Sequence, residues 1–370
     1  MKILHIGKFY PIEGGVDKVM LDLTKGLSER GVYCDMLCAA NGEAQVVRLN
    51  EYGRVIATRT LFQLAATMIS PAMIWKLRKI AAEYDVIHIH HPDPMACMAL
   101  FFSGYKGKVV LHWHSDILKQ KVLLQFYKPF QKWLIKRADK IVGTTPVYVA
   151  QSKALAGVQD KVGYIPIGVP DLSDANAEPE KIKSAYPGKK IVYTLGRLVG
   201  YKGYKYLVKA ASYLPDDYVV LIGGRGPLHE TLSTQIQELG ISDKVKLLGY
   251  IREEDFASYY KACDLFCLSS IWKTEAFAIV QVEAMSCGKP LVATRIPESG
   301  VSWVNKHGYS GLNVPVEDAK ALADAILELT SDREVYERYS SQSRQHYENN
   351  FTYAGMIDKC LHMYDEILNR

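Results

Sequence analysis

DLFCLSSIWKTEAFAIVQVEAMSCGKPLVAT, residues 264–294, reads as strand, loop, helix and strand. The run ending near Ser269 is apolar enough for a fully buried strand, and IWKT is a loop. Phe277 to Cys287 reads as a helix, stopped by Gly288 and Pro290 ahead of a second strand, KPLVAT. Two continuous apolar strands joined through a helix run parallel and are covered on both faces. The same alternation extends through the chain. KILHIG, YCDMLCA, VIHIH, KVVLHWH, KIVGTT and KVGYIPIG lie in the first half, and KIVYTLGR, YVVLIGG and KVKLLGY open the second. Amphipathic stretches such as Val16 to Arg30 and Lys202 to Ser212 fill the gaps. The series occurs twice, which predicts an α/β chain of two doubly wound, Rossmann-like domains facing across a cleft. The expected division is 1–175, 185–350 and a C-terminal helix, 351–370, that packs back toward the first domain. The polar segment from Pro170 to Lys190 is the expected linker.

The 370 residues are 48% hydrophobic and 23% charged, enough for two cores. No apolar run approaches the roughly 20 residues that span a bilayer. MKILHIGKFYPIEGG reads as a first strand, not a leader, so the chain is expected in the cytoplasm. Its seven cysteines are odd in number and lack C-x-x-C spacing, the pattern of buried reduced thiols. The net charge of +5 is uneven: residues 1–170 hold 22 Lys and Arg against 13 Asp and Glu, and the remainder 23 against 27. A basic first half asks for an anionic partner, whether nucleic acid, membrane surface or phosphorylated substrate. Segment 117–140 sets Lys119, Lys121, Lys128, Lys132, Lys136, Arg137 and Lys140 among aromatics such as Trp133. It is either a peripheral contact with an anionic membrane or a core-packed helix with a solvated basic face.

Open parallel sheets bind ligands at the carboxyl ends of their strands. After the first strand, Gly14 and Gly15 precede a helix whose N-terminus offers N–H groups to an anion. The dinucleotide fingerprint G-x-G-x-x-G is absent, which speaks against a dehydrogenase. VIHIHHPDP places His88 and His90 on one face, beside His91 and Asp93, and VVLHWHSD does the same for His112 and His114 ahead of Asp116. His112, His114 and Asp116 have the H-x-H-x-D spacing of a metal hydrolase. One histidine acting on a substrate, the others being satisfied at a cleft wall, is the competing reading. TLGRLVGYKGY puts Arg197 after a strand and Lys202 at a helix start, a diphosphate clamp. Gly223, Gly224 and Gly226 permit close approach at another strand end. Glu275 sits at a helix mouth, where the dipole alone would account for it. Glu283 is embedded among Val280, Val282, Ala284 and Met285 and needs a partner. N–H groups near Phe277, Ala278 and Ile279 face an anion, while carboxylates grip hydroxyls. Phosphate and hydroxyl sites side by side describe a nucleotide sugar.

EAFAIVQVE resembles the E-x7-E motif of retaining glycosyltransferases of family 4, which have the two-domain GT-B fold. FYPIEGGVDKVMLDL, VVLHWHSDI, TLGRLVGYKGYKYLVKA, VKLLGYI, EAMSCGKPLVAT and GYSGLNVPVED look like family segments in family order. The resemblance implies transfer of a hexosyl-type group from a UDP- or GDP-sugar to an acceptor hydroxyl, with no cofactor and no metal. It further implies Glu275 on the sugar, Glu283 on the ribose, and Arg197 and Lys202 on the diphosphate. Gly15 would line the phosphate site, Phe277, Ala278 and Ile279 would offer amides, Ile251 would lie against the base, and His114 beside the transferred sugar. Likeness to bacterial cell-surface polysaccharide enzymes (O-antigen, capsule or lipopolysaccharide) implies a glycan or lipid-linked acceptor and no nucleic-acid partner. Two residues depart from the pattern. Ala278 stands where the family usually has glycine, which could narrow the pocket, and Ile167 where it often has asparagine. The rivals are the metal hydrolase and a non-catalytic nucleotide-sugar-binding module.

Overall fold

The computed structural model describes the chain except residues 13, 65–66, 118–120 and 370 and the side chains of 121–123. Lys119 and the side chain of Lys121 therefore lie outside the described residues. The chain divides into two compact units, one of residues 1–167 with 354–370, the other of 168–353.

In the first unit the described residues form β1 (Lys2–Tyr10), β2 (Tyr33–Ala40), β3 (Gln45–Arg48), β4 (Arg54–Thr58), β5 (Phe62–Leu64), β6 (Thr67–Ile69), β7 (Val86–His91), β8 (Lys108–Trp113), β9 (Lys140–Gly143) and β10 (Val162–Tyr164). Eight of them make one sheet, in the order β10-β9-β8-β7-β1-β2-β4-β3. It is parallel except for β3, which pairs antiparallel with β4 at the edge. β5 and β6 pair separately. The apolar runs read from the sequence are buried on both faces: Ile3, Leu4 and Ile6 of β1, Val86, Ile87 and Ile89 of β7, and Val109, Val110 and Leu111 of β8 are fully covered. Each such side chain contributes about 1.5–3 kcal/mol by leaving water. The helix Tyr353–Leu368 buries Met356, Ile357, Cys360, Met363, Tyr364 and Ile367, and residues 354–370 belong to this unit.

The second unit carries β11 (Lys190–Leu195), β12 (Tyr218–Gly223), β13 (Val245–Gly249), β14 (Leu265–Leu268), β15 (Leu291–Thr294) and β16 (Gly311–Val314). They form a parallel sheet in the order β13-β12-β11-β14-β15-β16. Strand order reverses between β11 and β14 here, and between β1 and β7 in the first unit. Those are the switch points where loops part and a crevice opens.

Three local expectations are corrected. β3, β4, β5, β6 and β16 are not among the strands read from the sequence, because runs of three to five residues such as GLNV and RVIAT carry too little apolar pattern. The segment from Pro170 to Lys190 is not a bare linker: it contains the helix Pro179–Ser184 and is tied to the second unit. Arg344 pairs with Asp171 at 2.5 Å, and Lys261 Nζ donates to the Ala175 carbonyl at 2.6 Å. The helix expected from Phe277 begins at Ile279 and ends at Ser286. Ala278 has φ +62°, a left-handed conformation that no α-helix contains.

Candidate functional site

At the β11/β14 switch point, the loop after β11 carries Arg197 and Lys202, and the loop after β14 runs from Ser269 to Ala278. Gly203 holds the two loops together. It has φ +65°, and a Cβ there would lie 2.1 Å from the Ser269 carbonyl oxygen. Ser269 Oγ donates to the Lys202 carbonyl at 2.9 Å, and the Ile271 N–H to the Tyr201 carbonyl at 2.8 Å. The result is a short ion pair, Lys202 Nζ to Glu275 Oε2 at 2.6 Å, whose side chains are 10% and 11% exposed. Ser270 Oγ donates to the same carboxylate oxygen at 2.8 Å. Thr294 Oγ1 donates to the Ser270 carbonyl and Ser299 Oγ to that of Glu275, so β15 and the loop after it brace the pair. Burial alone would push the Lys202 ammonium down, but Glu275, then Tyr204 and Tyr201, outweigh it and hold its pKa raised. Lys202 therefore stays a cation. Arg197 is exposed, and its guanidinium has no partner among the described residues.

Glu275 thus lies outside the helix, held by a cation and a hydroxyl and not by a helix dipole. The N–H groups of Phe277, Ala278 and Ile279 meet no acceptor among the described residues, so the start of this eight-residue helix is open to an anion. Glu283, 8% exposed, has the partner its setting required: Tyr260 OH donates to Oε2 at 2.7 Å. Ile251 is buried beside the end of β12, next to Gly223. The approach that Gly224 permits is by its own fold: a Cβ there would lie 2.0 Å from the Gly196 carbonyl oxygen.

The left-handed backbone at Ala278 gives a physical reason for glycine at this position. An L-residue there costs roughly 1–2 kcal/mol, and glycine returns about 0.4–1 kcal/mol of that through its freer unfolded chain. Ala278→Gly is therefore expected to leave stability unchanged or raise it by up to about 1.5 kcal/mol, read from the urea midpoint. A fall of that size would mean the Ala278 methyl is needed for packing.

In the first unit, Gly14 precedes the helix Gly15–Glu29, both glycines are exposed, and Asp17 accepts the Gly14 N–H at 3.1 Å. Asp93 is a structural residue. It accepts the Lys8 N–H and caps the helix Pro94–Ser103 through the N–H groups of Met95 and Ala96. The histidines share faces as their spacing requires, but they do not stand at a solvent-lined wall. His5, His88, His90 and His112 are 0–1% exposed and His114 5%. His112 has neither ring nitrogen partnered among the described residues. Ile167 is also buried.

The hydrolase triad is not assembled. Asp116 accepts from Trp113 Nε1 at 3.0 Å and from Ser152 Oγ at 2.8 Å, and the metal-capable groups among the described residues contain only histidines. His112 and His114 stack with centroids 4.0 Å apart and planes 11° apart, and His90 lies 16° from His114. In the basic helix Lys121–Arg137, Tyr127, Gln131, Leu134 and Ile135 face inward, while Lys128, Lys132 and Lys136 are exposed. Phe126 is 76% exposed.

Two doubly wound units with a cation–carboxylate pair at one switch point define the class of GT-B glycosyltransferases. Anabaena HepE, solved with UDP and glucose, superposes with a TM-score of 0.79 over 99% of each chain at 20% identity. Residues 13–171 match the model described as Glycosyltransferase Family 4, and 176–346 that described as Glycosyl transferases group 1. An O-antigen chain mannosyltransferase C of Escherichia coli is 32% identical over 100% of this chain and 99% of its own. A D-rhamnosyltransferase of Pseudomonas aeruginosa, WbpZ, is 30% identical over 95% and 92%. The chain belongs to glycosyltransferase family 4, and it is a glycosyltransferase, not a hydrolase.

Proposed function

We propose that the protein transfers a hexosyl-type group, with retained anomeric configuration, from a UDP- or GDP-sugar to a hydroxyl of a lipid-linked or growing cell-surface glycan. The observation that supports this most is the buried Lys202–Glu275 pair beside open amides and the free Arg197 guanidinium. Cations and amides suit the diphosphate, and carboxylates suit hydroxyls. In this reading Glu275 grips the sugar and Glu283 the ribose. Ile251 lies against the base, Gly14 and Gly15 let backbone approach the donor, and Gly224, packed on Gly196, shapes the strand end beside it. Phe277, Ala278 and Ile279 offer amides to phosphate, and His114 touches the transferred sugar. Bond breaking leaves negative charge on the diphosphate, which Lys202, Arg197 and the amides meet without reorganising. Glu275, held by Lys202 and Ser270, is a sugar ligand and not a nucleophile. Retention then comes from front-face attack, with the departing phosphate oxygen taking the acceptor's proton. No metal is called on, since fixed cations supply the charge, so a chelator should leave the rate unchanged.

The named mannosyl and rhamnosyl relatives make mannose-type sugars the first to try. The test is a set of UDP- and GDP-sugars, scored for released nucleotide with and without membrane lipid extract, followed by the anomeric configuration of the product. Turnover with none of them would favour a non-catalytic binding module, and an inverted product would refute retention.

The seven free cysteines support a cytoplasmic place for this work. No helix among the described residues is long and apolar enough to cross a membrane. Phe126 with Lys128, Lys132 and Lys136 is a peripheral contact for the inner leaflet. Reversing the three lysines to glutamate should abolish sedimentation with phosphatidylglycerol vesicles, and unchanged binding would remove this contact.

A further inference from the structure

The ends of β12 and β13 meet at one corner of the second unit. The Gly224 N–H donates to the Gly249 carbonyl at 2.7 Å, which ties the loop after β12 to the end of β13. Ile251 is buried there, and a Cβ on Gly223 would lie 3.0 Å from its Cγ1. Two large side chains at this corner stay in solvent. Arg225 is exposed, and Tyr250 is 62% exposed. The Arg225 guanidinium carbon lies 5.2 Å from the centroid of the Tyr250 ring. Apart from that ring, the Arg225 side chain has no partner among the described residues. Its backbone is fixed, since its carbonyl accepts the Leu198 N–H at 2.9 Å. Arg252, the neighbouring arginine, is engaged: Nε pairs with Asp255 at 2.9 Å and Nη1 with Glu254 at 2.6 Å.

A guanidinium drawn over an aromatic ring is restrained there and keeps N–H groups for another acceptor. Its fork suits two acceptors set side by side, which it meets with two parallel bonds. Guanine has such a pair, O6 and N7. Adenine sets its N6 donor beside N7, so the fork makes one bond and faces one donor. Uracil sets N3–H between its two carbonyls, with the same result. The fork therefore favours guanine. Arg197 precedes Leu198, so a pull of Arg225 on the diphosphate is the competing role. That pull would act on every nucleotide alike. The contact with Tyr250 instead draws the guanidinium toward the end of β13, beside Ile251.

We infer that Arg225, braced on Tyr250, reads the O6 and N7 edge of a guanine, so that the donor is a GDP-sugar and not a UDP-sugar. The inference rests on the proposed place of Ile251 at the base. A bidentate contact of this kind discriminates between bases by roughly 5- to 150-fold.

The test is calorimetric titration of the full chain with GDP, ADP and UDP. GDP is expected to bind at least about tenfold more tightly than either of the others. ADP separates the base edge from the size of a purine. Equal or tighter binding of UDP or ADP would overturn the inference, and this is read on the unaltered protein. Arg225→Ala is expected to bring GDP down to the level of ADP, with ADP and UDP changed by less than about threefold. Arg225→Lys keeps the charge without the fork and is expected not to restore the preference. An equal fall for all three nucleotides in Arg225→Ala, or a preference kept in either variant, would also overturn it. Binding of none of the three by the unaltered protein would refute the donor site itself, and the inference with it.

Discussion

Lys202→Ala is expected to lower transfer by at least about 100-fold, the range seen when one fixed donor to a developing oxyanion is removed. Lys202 is the buried cation of the proposed donor site, and its loss removes charge from the leaving diphosphate. The substitution also leaves the Glu275 carboxylate buried without its cation. Breaking one side of a buried pair costs about 3–5 kcal/mol, lessened here by the Ser270 hydroxyl that remains. The two effects separate in the double variant Lys202→Met with Glu275→Gln, which removes both charges. It should recover most of the lost stability in urea and none of the lost rate. Recovery of the rate together with stability would show that Lys202 serves the fold and not the diphosphate.

Acid is expected to unfold the first unit between about pH 6 and 4.5. His5, His88, His90, His91, His112 and His114 are all buried neutral; burial pushes His5, His91 and His112 to about 3 and the others well down. In the unfolded chain a histidine takes up its proton near pH 6.5. Below that pH the unfolded state binds protons that the folded state refuses, so stability falls as pH falls until the folded values are reached. At pH 5 each histidine favours unfolding by about 2 kcal/mol, and six together by about 12 kcal/mol. That is comparable with the roughly 5–15 kcal/mol that holds a domain folded. Near-ultraviolet circular dichroism should be lost cooperatively, with uptake of several protons. A native spectrum at pH 4 would show that the row accommodates charge and is not sealed as it stands here.

The doubly wound sheets were legible because their strands are continuous apolar runs that read the same wherever they fall. Lys202 and Glu275 could each be picked out by position after a strand, but not their contact. That contact depends on Gly203 letting two loops touch, and no spacing rule encodes it. Ala278 could be seen as unusual, while its left-handed backbone, which moves the helix start to Ile279, had no local signal. Period-two spacing placed His88 with His90 and His112 with His114. It could not supply the strand register that adds His5, nor the C-terminal helix that brings Tyr364 from 276 residues away. Asp116 misled because its spacing from His114 matched a metal motif while its carboxylate serves Trp113 and Ser152.

A crystal structure of the protein with the donor that turns over, or its non-transferable analogue, tests the central claim most directly. The account predicts the diphosphate against Lys202, Arg197 and the amides of Phe277 to Ile279, with the sugar hydroxyls on Glu275 and the ribose on Glu283. A donor bound elsewhere, with Lys202 and Glu275 contacting only each other, would contradict it.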